Sequence, residues 1–267
     1  MVTRWLTVAA LVTIVALPAR AQGALDLPED PWAADPALAD LMNWVTFQMT
    51  FDAGGIVPDM AAGEWEATLR GEAQFAPGRD GLALVCGPGS VRATFPRGPN
   101  ATMGTRGACS LWVCPVEWTR ENGGNTTFVT ASNGAFYLQR QGPAHNEEGR
   151  YTRHEGMQYL IRGDLTGNQI LMTGTANWPN GKWRLIVANW SWPVMSWSID
   201  GGELQSTAVD NIPDDSYFGG IVVGAEGGEP TLIDDLTFYR RPLSIAEIRL
   251  IHETFRPEHV TPTEEQP

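Results

Sequence analysis

Carboxylates, tryptophans and amides are the side chains of this chain whose type and spacing could do chemistry. In the run Leu232–Tyr239, alternation puts Asp234 on one face with Leu232, Leu236 and Phe238, and Asp235 on the other with Ile233, Thr237 and Tyr239. A lone carboxylate on an apolar face is costly to bury. Asp234 therefore needs backbone N–H donors, an arginine or a cation. Ca²⁺ would suit it, because that ion takes carboxylate and carbonyl oxygens at roughly 2.3–2.6 Å.

A second chemistry is sugar recognition, in which exposed indole rings stack on sugar faces and neighbouring amides bond the hydroxyls. The polar stretch Asn177-Trp178-Pro179-Asn180-Gly181 carries one such tryptophan with Asn180 beside it. Asn189-Trp190-Ser191-Trp192 carries two more near a turn, and Trp118 stands next to Arg120, Glu121 and Asn122. The plainer use of tryptophan is core filling. Trp44, Trp112, Trp183 and Trp197 alternate with apolar residues and are expected to be buried. Catalysis has less to draw on. Glu64-Trp65-Glu66 is a weak carboxylate pair, no Ser-His-Asp arrangement stands out, and the four histidines lack zinc-ligand spacing.

The elements that must position these residues are short. A dozen alternating or apolar runs, among them Val45–Phe51, Leu82–Cys86, Ser110–Cys114, Thr126–Ala131, Ala135–Arg140 and Trp183–Trp190, are separated by Gly, Pro, Asn and Asp clusters. That pattern predicts an all-β sandwich or barrel. Asp200-Gly201-Gly202 between two apolar runs predicts a tight hairpin. One helix is expected near the end, where Ser244 as N-cap and Glu247 three residues on precede Ile248, Leu250 and Ile251.

Residues 1–21 read as an export signal: a basic start, the apolar run Trp5–Leu17 and an Ala-x-Ala site before Gln22. A Pro- and Asp-rich extension (22–42) follows, with a short helix around Pro36 to Met42. The domain is then expected over 43–255, and a polar, disordered tail over 256–267. The run is too short for a comfortable span, so the expectation is a secreted or periplasmic protein without membrane insertion once the signal is cleaved. The net charge of −13 argues against nucleic acid, whose phosphates are attracted by Lys and Arg. Of the three cysteines, Cys109 and Cys114 lie five apart in one strand and so face opposite ways. Cys86 bonded to one of them, or three buried thiols, both remain open.

The ordered blocks resemble the laminin G-like, concanavalin A-like family. Leu232-Ile233-Asp234-Asp235-Leu236 leading through Arg241-Pro242-Leu243-Ser244 to Glu247-Ile248 is similar to its closing strand and helix cap. Phe51-Asp52-Ala53-Gly54, the segment Phe75 to Leu84, Ser110-Leu111-Trp112-Val113-Cys114-Pro115, and Trp183 to Gly201 resemble earlier family blocks in the family's order. The likeness covers about residues 43–253. Ala53, Trp192-Pro193 and an apparent insertion at 141–157 depart from the pattern.

The resemblance implies an antiparallel two-sheet jelly-roll sandwich with a short C-terminal helix, and non-enzymatic roles. It also implies a structural Ca²⁺ tying the first strand to the last, here through Asp52, Asp234 and Asp235. The same architecture hosts glycoside hydrolases, but their Glu-x-Asp-x-x-Glu strand motif is absent from this sequence. The leading expectation is an exported bacterial module that binds carbohydrate through Trp178, Trp192, Trp118 and Asn180. The rival is an adhesion or structural module bound to a surface protein, and an atypical glycoside hydrolase is a distant third.

Overall fold

The computed structural model describes residues 31–101, 106–119, 124–145, 151–153, 155–163, 167–173, 178–209 and 214–256. The expected signal, residues 22–30 and the tail from 257 lie outside this set. Two short helices lead in, α1 (Pro31–Ala34) and α2 (Pro36–Met42); Asp35 caps the second by accepting the Ala37 N–H at 2.7 Å. Eighteen strands follow among the described residues. They are β1 (Val45–Met49), β2 (Met60–Ala61), β3 (Thr68–Arg70), β4 (Phe75–Pro77), β5 (Leu82–Cys86), β6 (Arg92–Phe95), β7 (Arg106–Pro115), β8 (Thr126–Ala131) and β9 (Phe136–Gln141). Then come β10 (Ala144–His145), β11 (Tyr151–Arg153), β12 (Gly156–Gly163), β13 (Gly167–Met172), β14 (Arg184–Ser191), β15 (Val194–Ile199), β16 (Gln205–Ala208), β17 (Ile221–Val223) and β18 (Thr231–Tyr239). Helix α3 (Ile245–Phe255) closes the domain with Ser244 and Glu247 capping each other's backbone N–H groups.

The strands form two antiparallel sheets packed face to face as a jelly-roll sandwich. One runs β16-β15-β14-β7-β18-β1-β2, with β5 also on β18 and β4 on β5; the other runs β13-β12-β9-β8-β17-β6-β3. Between them lies a core that includes Phe47, Leu111, Phe128, Phe136, Tyr159, Trp190, Trp197 and Phe238. The far face of the first sheet is covered too. Trp112, Leu185, Val187 and Tyr239 pack there against Leu38, Leu41, Ile248, Ile251 and Phe255 of the helices. The domain's packing therefore begins at α1 rather than at residue 43. Double coverage also explains why β7 and β14 are buried almost end to end.

Among the described residues, the far face of the second sheet has no such cover. Strand β6 alternates between half-buried and buried residues, and Thr127, Thr130 and Tyr137 are half-buried while Phe136 and Leu138 point to the core. Cys86, Cys109 and Cys114 are all buried free thiols. No described helix is long and apolar enough to cross a membrane.

Candidate functional site

The expected cation corner is built differently from the alternation rule. The β18–β7 register shifts between Asp234 and Thr237, and Asp235 sits at φ 46°. This bulge adds one residue. Ile233, Leu236 and Phe238 therefore face the core, while Asp234 lies opposite Trp112 on the helix side. The shared face of Asp234 with Leu236 and Phe238 is thus overturned by a one-residue slip.

There, Asp234 accepts the backbone N–H groups of Arg79 and Asp235, each at 2.9 Å. Asp235 is engaged by the Arg79 guanidinium through Nε (3.1 Å) and Nη2. Arg79 Nη1 also donates to the Phe255 carbonyl at 2.8 Å, which fixes the guanidinium between Trp112 and Phe255. Burial, and then the charge of Asp235, pushes the Asp234 carboxyl well above its usual range. Burial also raises Asp235, against the pull of Arg79. Asp52 is raised by burial and by Asp80. Of the carboxylates assigned to Ca²⁺, Asp235 is already paired with Arg79 and Asp234 accepts two backbone N–H groups. Among the described residues no group of three or more His, Cys, Asp or Glu is placed to hold a metal.

Three of the four residues expected to bind sugar meet near Thr231, at the start of β18. Trp118 Nε1 donates to Thr231 Oγ1 at 2.7 Å, and the Trp118 N–H donates to Asn180 Oδ1 at 3.0 Å. The Trp118 ring stacks on Trp178 at 5.7 Å, with the Arg140 guanidinium 4.7 Å from its centre. With only 8% of it exposed, Trp118 is a packed ring and cannot serve as an open stacking platform. Trp178 is half-buried, its ring also approached by Arg184 at 5.5 Å. Asn177, Arg120, Glu121 and Asn122 lie outside the described residues. Trp190 is buried in the core, and Trp192 is 60% exposed in the β14–β15 turn. That turn is separated from the other three by the length of β14, about 20–25 Å at 3.3 Å per residue. The four do not form one site.

Beneath Trp118 lies an ion cluster that the sequence reading missed. Arg140 is wholly buried and pairs with Glu155 at 3.4 Å and with Glu229, while its Nη2 donates to the Thr119 carbonyl at 2.7 Å. Glu229 Oε1 in turn accepts the N–H (3.0 Å) and hydroxyl (2.9 Å) of Thr119. The signal was present: Arg140 stands in phase with Phe136 and Leu138, so a charge on the core side of β9 demanded internal carboxylates.

Glu229 belongs to the loop Gly224-Ala225-Glu226-Gly227-Gly228-Glu229-Pro230 between β17 and β18. Two glycines make this path possible. At Gly228 (φ +88°) a Cβ would come 2.3 Å from Thr126 Oγ1, and at Gly224 (φ +83°) 2.5 Å from the Val91 carbonyl oxygen.

The same loop walls a cavity of about 270 Å³ on the uncovered face of the second sheet. Arg92, Asn125, Thr127, Thr130, Tyr137, Val222 and residues 224–227 surround it. Strand pairing explains the grouping, since Val222 is paired with Thr130 and Thr130 with Tyr137, one row on the outer face. The next row runs Thr127, Gln139, Gln158, joined by hydrogen bonds of 3.2 and 2.6 Å. Arg70 on β3 lies opposite Arg92 on β6 and is bound by Glu226 at 2.9 Å. The face thus offers hydroxyls, amides, one phenol ring and a guanidinium around a small hollow. Strands β8 and β9 were expected from the alternating runs, whereas β6, which carries Arg92, was not.

No protein-family model matches the sequence, and no curated protein matches it. Solved structures do match. The receptor binding domain of botulinum neurotoxin mosaic serotype C/D gives a TM-score of 0.61 at 15% identity over 80% of this chain and 51% of that one. A botulinum neurotoxin type C structure, from work tying cell entry to interaction with two ganglioside molecules, gives 0.63 at 12% over 82% and 53%. The binding domain of botulinum neurotoxin DC in complex with rat synaptotagmin II gives 0.63 at 12% over 81% and 52%. The chain spans about half the length of these structures. At such identities the likeness establishes architecture alone: the chain shares the β-sandwich of the neurotoxin receptor-binding domains.

Proposed function

We propose that this chain is an exported, non-catalytic binding module of the laminin G-like kind, and that its ligand is carbohydrate held on the outer face of the second sheet. The observation that carries this reading is the polar hollow around Thr127, Thr130 and Tyr137. Hydroxyl and amide groups suit sugar hydroxyls, and a half-buried phenol ring suits a sugar's apolar face. At about 270 Å³ it has room for a sugar ring rather than a long chain. The sandwich neighbours are receptor-binding domains, and two of them are described with gangliosides or synaptotagmin; those ligands belong to those proteins.

The non-catalytic part is supported by the carboxylate count. Glycoside hydrolysis uses two carboxyl groups about 5–10 Å apart, whereas among the described residues Glu226 is the one carboxylate lining the hollow and is tied to Arg70. A protein partner is the second reading, favoured by Trp192 and Val194, both exposed in the β14–β15 turn.

A glycan array probed with wild-type protein and with Tyr137→Ala separates the two. The carbohydrate reading expects retention on a defined glycan set that Tyr137→Ala loses and Trp192→Ala keeps. No retention on any glycan sinks it. Repeating the array and a melting curve in EDTA tests the cation expectation. With Arg79 as counter-ion to Asp235, neither should change; a lowered melting temperature would put Ca²⁺ on Asp52, Asp234 and Asp235.

A further inference from the structure

We infer that the saccharide taken by the outer hollow is anionic, bearing a carboxylate or sulfate that binds the Arg92 guanidinium. This deepens the carbohydrate reading and rests on it. Four other enclosed arginines are each neutralised by an acid. Arg79 is bound to Asp235, Arg140 to Glu155 and Glu229, Arg184 to Asp200 and Arg241 to Glu247. Arg92 is half-buried and lines the hollow, yet among the described residues it has no hydrogen bond, ion pair or ring partner. A guanidinium partly withdrawn from water without a counter-ion is an unfavourable arrangement.

The acid that lines the hollow does not relieve it. Glu226 lines the same hollow, but Arg70, Arg92's cross-strand neighbour, takes its Oε1 at 2.9 Å. Two arginines opposite each other on adjacent strands repel. With one acid between them, the pair leaves a net positive charge at the rim of the hollow. On a chain whose net charge is −13, that is a local reversal of sign. An oxyanion would meet the planar donor fork of Arg92 in two parallel hydrogen bonds. Its sugar ring would then lie toward Thr127, Thr130 and Tyr137, the hydroxyls and ring that line the same hollow.

The test is an array of matched glycans, each present as a neutral, a uronate- or sialate-bearing and a sulfated form, followed by calorimetric titration of the best binder. Wild-type protein should prefer an anionic form over its neutral counterpart by about ten- to a hundredfold, the range of a charge-assisted bidentate pair. The uronate and sulfate arms show which oxyanion is read. Arg92→Gln should lower affinity for the anionic form to about that of the neutral one. Arg92→Lys, which keeps the charge and loses the fork, should fall between. Melting curves of both variants confirm that they fold. Best binders that are neutral would overturn the inference while sparing the carbohydrate reading, and an anion preference that survives Arg92→Gln would overturn the assignment to this residue. Failure to retain any glycan would overturn both.

Discussion

Two arginines lie on opposite sides of one glycine-rich loop, and their surroundings differ in burial and in charge pairing. Arg140 points inward, wholly buried, and is met by Glu155, by Glu229 from the loop and by the Thr119 carbonyl. Arg92 points outward into the hollow that the loop walls, half-buried and unmatched, while the loop's other acid, Glu226, is committed to Arg70. Saturation distinguishes a structural charge from an available one. Exposure alone would have ranked both arginines as interior or near-interior, and the charge census separates them.

The largest way to break this comparison is Arg140→Met. It leaves Glu155 and Glu229 enclosed without their counter-ion, a change that costs about 3–5 kcal/mol in comparable buried pairs. A drop of many degrees in melting temperature is expected at pH 7. A loss within about 1 kcal/mol of wild type would show that the pairing of Arg140 with Glu155 and Glu229 contributes little.

Glu247→Gln is a smaller, differently signed case. Its carboxyl is partly desolvated, but hydrogen bonds from Arg241 and Ser244 outweigh that and hold it down to about 2. A depressed group stabilises the fold fully above its unfolded value near 4.5 and loses that contribution as pH falls through about 2. The variant should cost about 1 kcal/mol at pH 7, the usual worth of such a cap. The gap to wild type should close in acid. A gap that stays constant to pH 2 would contradict the ion pair's role in seating α3.

Arg92→Gln should be the smallest, within about 0.5 kcal/mol of wild type in stability, because no partner is lost. A large destabilisation would show that Arg92 is structural after all and would collapse the contrast with Arg140.

How much of this could be read from the chain follows from which rules are local. The Ser244–Glu247 cap, the positive-φ Asp200-Gly201 hairpin and the short alternating strands are set by a few neighbouring residues, and they formed as expected. Helix α2 over Pro36–Met42 was legible for the same reason, although its packing on the domain was not. Asp234 defeated the reading because a bulge between it and Thr237 reverses every face beyond it, and alternation cannot register an extra residue. Trp118 and Trp178 were placed by a loop carrying Asn180 rather than by strand period, so sequence could not tell a stacked pair from an open platform. The hollow itself joins β6, β8, β9, β17 and a distant loop, a grouping that exists only once the sheet order is known.

On the proposed reading, ligand lies on the outer face of the second sheet. Titrating isotope-labelled protein with the best-retained glycan, and following amide, arginine Nε–H and indole N–H resonances, tests it most directly. Shifts should gather at Arg92, Thr127, Thr130 and Tyr137 and leave the side-chain signals of Trp118 and Arg140 in place. Shifts centred on Trp192 and its turn, with Arg92 unmoved, would contradict the account.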